Sequence, residues 1–375
     1  MELFDVYPRF DITPVSARGC WITDQNGERF LDLYGGHAVI SIGHSHPEFV
    51  KNLSEQLHRI AYYSNSVQIP LQEKLCAALG AASGLDTYQL FLCNSGAEAN
   101  ENALKLASFH TGKSKVIAFK NSFHGRTSAA VAATDNPSII SKLNAGHEVA
   151  FVPLNDLTAL ENALSEEDVC AVILEPIQGV GGLGMADNAF MESVAMLCKR
   201  YGAVFIADEV QSGFGRTGKF FAFQHSTATP GIISMAKGMG NGFPVGGILI
   251  HPDISAQSGM LGTTFGGNHL ACVAALTVLD VLENEKLISK IPELERYFRM
   301  ELSAVPYIRQ IKGKGLMLGF EMEFEVADLR KKLLYEHRIL TGSSKNKNLL
   351  RILPALNIGA DELDLFFKAL KTELQ

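Results

Sequence analysis

The sequence offers little to a metal, a membrane or a nucleic acid. Its six cysteines, Cys20, Cys76, Cys93, Cys170, Cys198 and Cys272, form no C-x-x-C pair, and most sit within apolar stretches. That pattern speaks against a disulfide framework or a zinc ribbon and predicts reduced, buried thiols. No apolar run approaches the length of a membrane span. The segment Met1 to Pro14 is charged and broken by two prolines, so no signal-peptide core is expected there. With 33 basic and 40 acidic residues the net charge is −7. This excludes the basic footprint of a nucleic-acid binder and a surface built for anionic lipid, while leaving room for a local anion pocket. No G-x-G-x-x-G opens a helix after an early strand, and no Walker lysine motif occurs, so a nicotinamide-dependent oxidoreductase lacks its fingerprint. These readings predict a soluble, cytoplasmic protein.

What is present is a globular composition. The chain has 375 residues, 47% hydrophobic and 19% charged, enough to bury a large core in two or three domains of ~150 residues. The middle of the chain alternates short β-rich runs with amphipathic stretches. Tyr88–Cys93, Lys115–Phe119, Val169–Leu174, Ala203–Ala207, Ile232–Met235 and Val245–Ile250 read as strands covered on both faces. Helical patterns such as Glu98–His110 and Phe190–Tyr201 lie between them. The alternation predicts an α/β fold with a mostly parallel sheet flanked by helices, whose ligands bind beyond the carboxyl ends of the strands. Toward the start, Asp24-Gln25-Asn26-Gly27 is a hairpin turn. A long helix from about Asn268 to Asn284, a strand candidate Leu316–Phe324 and a closing helix Asp361–Leu374 follow the central region. The simplest division is residues 1–47 joining a smaller α+β domain, 48–267 forming the large domain, and 268–375 completing the small one.

Three strand ends carry chemistry. Tyr88–Cys93 runs into Asn94-Ser95-Gly96-Ala97-Glu98, where free N–H groups at a helix start would bind an anion such as phosphate. An ordinary turn with a serine N-cap fits these residues equally well. Ala203–Ala207 ends in Asp208, a carboxylate costly to bury unless it meets a cation such as a protonated ring nitrogen. Ile232–Ala236 runs into Lys237, and a desolvated lysine has the lowered pKa needed to attack an aldehyde. A phosphate cup, an acid for a ring nitrogen and such a lysine are together what pyridoxal 5'-phosphate requires.

In these residues the chain resembles the class III, fold-type I pyridoxal-phosphate aminotransferases. The resembling segments are GGHAVISIGHSHP (35–47), NSGAEANE (94–101), FHGRT (123–127), EPIQGVGG (175–182), DEVQSGFGRTG (208–218), SMAKGMGNGFPVGG (234–247), TTFGGNHLAC (263–272) and LLRILPAL (349–356). The resemblance implies a large domain with a seven-stranded, mostly parallel sheet. It implies that Lys237 bonds the cofactor and moves the proton, that Asp208 keeps the ring nitrogen protonated, and that Gly96 and Ala97 offer N–H groups to the phosphate. Phe123 is expected to stack on the ring and Gln211 to reach its phenolic oxygen. Thr264 matches a residue that the neighbouring subunit lends to the phosphate, with Thr263 beside it near the substrate, so a homodimer is implied. Arg126 and Arg351 resemble the two arginines that bind substrate carboxylates. The implied reaction moves the terminal amine of an N2-acylornithine, acetyl or succinyl, to 2-oxoglutarate in arginine biosynthesis. Ornithine or another omega-amino acid is the alternative donor within the class. A catalytically silent cofactor-binding protein is expected to have lost chemical positions, yet Lys237, Asp208 and Gln211 are present.

One position departs from the resemblance. Where family members commonly carry a glutamate that pairs with the second arginine, this sequence has Val180, which leaves Arg351 without that partner. His44 and His46 have no accompanying acidic or cysteine ligands at a useful spacing, and their loop reads as structural rather than metal-binding. Glu175 ends its strand in a position to orient neighbouring groups, and His124 is placed near the cofactor.

Overall fold

The computed structural model describes residues 1–166 and 168–374. Its centre is a seven-stranded sheet: β1 (Gln89–Cys93), β2 (Lys115–Phe119), β3 (Val149–Val152), β4 (Val169–Leu174), β5 (Val204–Asp208), β6 (Ile232–Met235) and β7 (Gly246–Ile250). Their spatial order is β1-β7-β6-β5-β4-β2-β3. Only β7 runs against its neighbours, pairing antiparallel with both β1 and β6. The other contacts are parallel, as the strand–helix alternation predicts.

All six residues of β4 are buried. Each fully buried Val, Ile or Leu there contributes about 1.5–3 kcal/mol, which is why the run tolerates no polar interruption. The helix Gly96–Thr111 packs across the sheet, burying Ala99, Ala103, Leu104 and Ala107 on one face at helical spacing. It starts where Ser95 caps it, the Ser95 Oγ accepting from the Glu98 N–H, and stops at Gly112 in the left-handed conformation.

Two smaller sheets flank the centre. Pro14–Arg18, Trp21–Asp24 and Arg29–Asp32 form antiparallel pairs, joined at the turn the sequence marks. Ile339–Leu340 adds in parallel to Arg29–Asp32, so distant segments of the chain share one sheet. The third sheet pairs Ile308–Lys314, Met317–Met322 and Leu349–Ile352. The long helix is His269–Asn284, capped by Asn268, and the closing helix is Ala360–Glu373. No helix among the described residues is long and apolar enough to cross a membrane.

Candidate active site

The carboxyl ends of the parallel strands open on a cavity of about 340 Å³. Its wall brings together Gly96, Ala97, Phe123, Arg126, Asp208, Gln211 and Lys237. Seven of the ten residues singled out in the sequence thus meet in one place. Arg351, Thr263 and Thr264 do not line it.

Asp208 is the last residue of β5 and is buried. A carboxylate survives there because three elements hold it. Its Oδ2 accepts from Asn100 Nδ2 at 2.7 Å and lies 2.7 Å from His124 Nδ1, and its Oδ1 accepts from the Val210 N–H at 3.0 Å. Asn100 was not assigned a role from sequence, although it lies one helical turn past Gly96 and so shares its face. His124 Nε2 and Asn100 Oδ1 are buried without a partner among the described residues.

Lys237 follows β6 on a short turn, with φ at +46°. A non-glycine residue in this region stores about 1–3 kcal/mol of strain. Burial pushes the Lys237 ammonium down from its ordinary value, Asp208 and Glu175 oppose that shift, and Arg351 adds to it. The lysine is therefore poised toward the neutral, nucleophilic form.

Glu175 follows β4 directly and joins two loops of the cavity wall. Its Oε1 accepts from the Phe123 N–H at 2.8 Å and its Oε2 from the Gly179 N–H at 3.0 Å. Burial pushes its carboxyl up to about 7, with Asp208 adding to the rise and His124 and the two amides opposing it. This is the orienting role foreseen for it.

Arg351 lies in Leu349–Ile352 and is buried behind Gln211. It donates from Nε to the Ser343 carbonyl at 2.5 Å, and from Nη1 to the Gly179 carbonyl at 2.7 Å and to Gln211 Oε1 at 3.5 Å. Burial lowers its pKa to about 10. Every one of these acceptors is neutral, and no carboxylate pairs with it among the described residues. Val180, beside Gly179, lines the cavity where the resemblance would place a glutamate. Arg126 instead stands exposed at the cavity wall.

Thr263 and Thr264 do not line the Lys237 cavity of their own chain, although Asn94 of its wall donates from Nδ2 to Thr263 Oγ1 at 3.4 Å. Thr263 Oγ1 accepts from the Gly266 N–H at 3.0 Å and borders a separate hollow, while Thr264 is exposed. The paired histidines serve different carboxylates: His44 Nε2 is 2.9 Å from Asp32 Oδ2, and His46 Nε2 is 2.8 Å from Glu285 Oε1.

A mostly parallel sheet with a strained, desolvated lysine beyond one strand and a clamped carboxylate at the end of the next is the framework of a fold-type I pyridoxal-phosphate enzyme. The chain belongs to the class-III aminotransferases, whose family pattern (Aminotransferase class-III) matches residues 6–374. It is 40% identical to the acetylornithine aminotransferase of Bacillus subtilis over 370 residues, covering 96% of this chain and 94% of that one. Among solved structures it resembles the ornithine aminotransferase of Toxoplasma gondii ME49, with a TM-score of 0.91 and 27% identity over 99% of this chain and 92% of the other. It also resembles the acetylornithine aminotransferase of Elizabethkingia anophelis, with a TM-score of 0.84 and 29% identity over 98% and 94% of the two chains. The protein is thus a pyridoxal-phosphate-dependent aminotransferase acting on small amino and keto-acid substrates.

The residues present fit that cofactor. In the first turn of the 16-residue helix, the Ser95 carbonyl and hydroxyl engage the Ala99 and Glu98 amides, which leaves Gly96 and Ala97 N–H groups at the cavity wall for a phosphate. The clamped Asp208 suits a protonated ring nitrogen, and the amine of Lys237 suits an aldehyde.

Proposed function

We propose that this protein transfers the terminal amine of an N2-acylornithine to 2-oxoglutarate, giving N-acylglutamate 5-semialdehyde and glutamate, a step of arginine biosynthesis. The observation that carries the chemistry is one cavity lined by Lys237, Asp208 and the start of the helix Gly96–Thr111. The donor is supported by the 40% identity to a protein named for acetylornithine.

In this reading Gly96 and Ala97 hold the cofactor's phosphate, Phe123 covers the ring, Gln211 meets the phenolic oxygen and Asp208 bonds the ring nitrogen. When bound, pyridoxal phosphate supplies an electron-withdrawing ring that stabilises negative charge at the substrate carbon losing its proton. Lys237, its pKa lowered by burial, takes that proton and returns it on the far side of the transferring nitrogen, two atoms along, as a base matched to neutral pH does. His124 and Asn100 fix the Asp208 carboxylate, so the charge facing the ring needs no reorganisation during the reaction. Arg126 and Arg351 bind substrate carboxylates, where guanidinium–carboxylate pairing gives both affinity and orientation.

The same reading makes the enzyme a homodimer in which Thr264 and Thr263 complete the neighbouring subunit's site. Two facts support it. Thr264 is exposed and does not line its own chain's Lys237 cavity. Beside it Phe265 is 60% exposed and packs on Tyr62, next to the exposed Ile60 and Tyr63, an apolar surface suited to a partner. The shared sheet of Arg29–Asp32 and Ile339–Leu340 supports a small domain built from both ends of the chain around a large cofactor domain. Six free thiols suit a reducing compartment, and a cytoplasmic location is part of the proposal.

The test is the visible spectrum of the purified protein before and after N2-acetylornithine, N2-succinylornithine and free ornithine. A cofactor band that bleaches with an acylornithine and returns with 2-oxoglutarate is the expected result. Bleaching by ornithine alone would move the enzyme to the other branch of its class, and a band that no donor bleaches would defeat the reading.

A further inference from the structure

The loop that carries Arg126 is gripped by one helix. Arg126 is exposed at the cavity wall, so its direction is set by its backbone rather than by packing of its side chain. That backbone meets the helix Gly96–Thr111 on both sides of Arg126. Asn100 Nδ2 donates to the His124 carbonyl at 2.7 Å. Gly125, with φ at +139°, lies against Ala97: a Cβ on it would be 2.8 Å from Ala97 Cβ and 2.9 Å from Ala97 Cα. Beyond Arg126, the Thr127 hydroxyl donates to Glu101 Oε2 at 2.6 Å and lies 3.2 Å from the Ala97 carbonyl.

Glu101 makes the largest share of these contacts. A short helix, Ser128–Ala132, starts just after Arg126, and its N-cap residue Thr127 makes no side-chain cap bond. The free amides are met from the other helix instead. Both Glu101 carboxylate oxygens accept from the Ala129 N–H at 3.0 Å, and Oε2 also accepts from the Ala130 N–H at 3.0 Å. A carboxylate suits the amides of a helix start, and its hydrogen bonds are roughly twice as strong as neutral ones. Glu101 follows Ala97 by four residues, one turn along the same helix face. Ala97 lines the cavity and Glu101 does not. One rigid helix thus carries both the amides offered to a phosphate and the side chain that fixes the loop of Arg126.

Resting on the reading of Arg126 as a residue that binds a substrate carboxylate, we propose that Glu101 is a positioning residue for it. Glu101 holds the guanidinium in a set place relative to the phosphate amides, and so keeps the substrate's reacting amine in register with Lys237.

The test compares kcat/KM of the holoenzyme for two amines that differ only in the carboxylate, N2-acetylornithine and N-acetyl-1,4-diaminobutane. Free ornithine and 1,4-diaminobutane give the same comparison if the enzyme uses unacylated donors, so the test does not depend on the acyl group. Arg126→Ala is expected to lower the wild-type preference for the carboxylate by about a hundredfold, as loss of a charge-assisted pair would. Glu101→Ala is expected to lower it by about tenfold, because a misplaced arginine pairs poorly. Glu101→Gln keeps one oxygen for the amides and should recover about threefold of that loss. In the Arg126→Ala background, Glu101→Ala should change the preference no further. A role in the fold alone would lower both rates and leave their ratio at the wild-type value, and that result for Glu101→Ala overturns the proposal. An additional fall in the double variant overturns it too. Should Glu101→Ala fail to fold, Thr127→Val, which removes the hydroxyl from the same carboxylate, is read in its place, with about a threefold fall expected. If Arg126→Ala itself leaves the preference unaltered, the carboxylate reading of Arg126 has failed. If it lowers the preference and Glu101→Ala does not, this inference alone has failed.

Discussion

His124 Nδ1 and Asp208 Oδ2 lie 2.7 Å apart, both buried, and Asn100 donates to the same oxygen from the helix that carries Gly96. Two segments distant in sequence, together with the Val210 N–H of its own segment, therefore fix one carboxylate at the mouth of β5. Asp208→Asn should lower kcat by about a thousandfold, because it removes the charge a ring nitrogen would face. His124→Leu leaves that charge in place but frees one side of it, and about a tenfold loss is expected. The double variant should be no slower than Asp208→Asn, since both changes act through one group. Steady-state kinetics on the four proteins checks this, and multiplicative losses would show that His124 acts elsewhere.

Glu209, the next residue, predicts a pH effect on stability. Its carboxyl accepts from the Ser212 hydroxyl at 2.6 Å and the Phe223 N–H at 2.7 Å, and burial pushes its pKa up to about 7 from an ordinary 4.5. The folded state binds this proton more tightly than the unfolded chain. The stabilisation is fully present below about 4.5 and is lost as pH rises through about 7, a change on the order of 3 kcal/mol. Glu209→Gln keeps an oxygen for the amide and lacks the titration. Denaturant melts of the apoprotein from about pH 5 to about pH 8 should show the variant gaining on wild type as pH rises. Parallel curves would mean that Glu209 titrates normally.

The fold was legible where burial writes a simple pattern and obscure where geometry does the work. Six strands were visible as continuous apolar runs because both faces of the sheet are covered. The seventh, Val149–Val152, has only four residues at the sheet edge and three of them half-buried, so its signal is weak. β5 extends one residue further than its apolar run, because the partners of Asp208 come from residues about a hundred positions away. The same limit hides Arg216. Its motif was evident, but its guanidinium is fully buried and donates to the carbonyls of Ile40, Leu316 and Pro354, tying three distant segments together. The Tyr34–His37 contact depends on a left-handed turn that residue types alone do not announce.

Gly179 is required by close approach to Gln211. A Cβ there would lie 1.9 Å from Gln211 Oε1, so Gly179→Ala must push the amide out of its place. Gln211 would then lose both the His37 carbonyl and the Arg351 guanidinium. The backbone carbonyl of residue 179 would still accept from Arg351, so the loop itself should persist. We expect a shift in the cofactor's visible absorbance and about a tenfold fall in kcat/KM, within the 1–3 kcal/mol of local overpacking. An unchanged spectrum would remove Gln211 from the ring.

Gly96 meets the same kind of barrier at the phosphate end. A Cβ at this position would lie 2.5 Å from Val210 Cγ1 and 3.1 Å from Cγ2, against the segment that follows Asp208. Gly96→Ala must therefore shift the helix start away from β5, carrying the Gly96 and Ala97 N–H groups with it. The helix itself loses nothing, because alanine is the better helix former. Cofactor affinity should fall by about tenfold for a clash of this kind, with kcat at saturating cofactor much less affected. Equilibrium dialysis of pyridoxal phosphate separates the two quantities. The clash is with one side chain, so Val210→Ala in the same protein should restore most of the affinity. Recovery in the double variant would locate the phosphate at this helix terminus, because only its distance from β5 has been reset. A loss that Val210→Ala does not repair would place the phosphate contacts elsewhere.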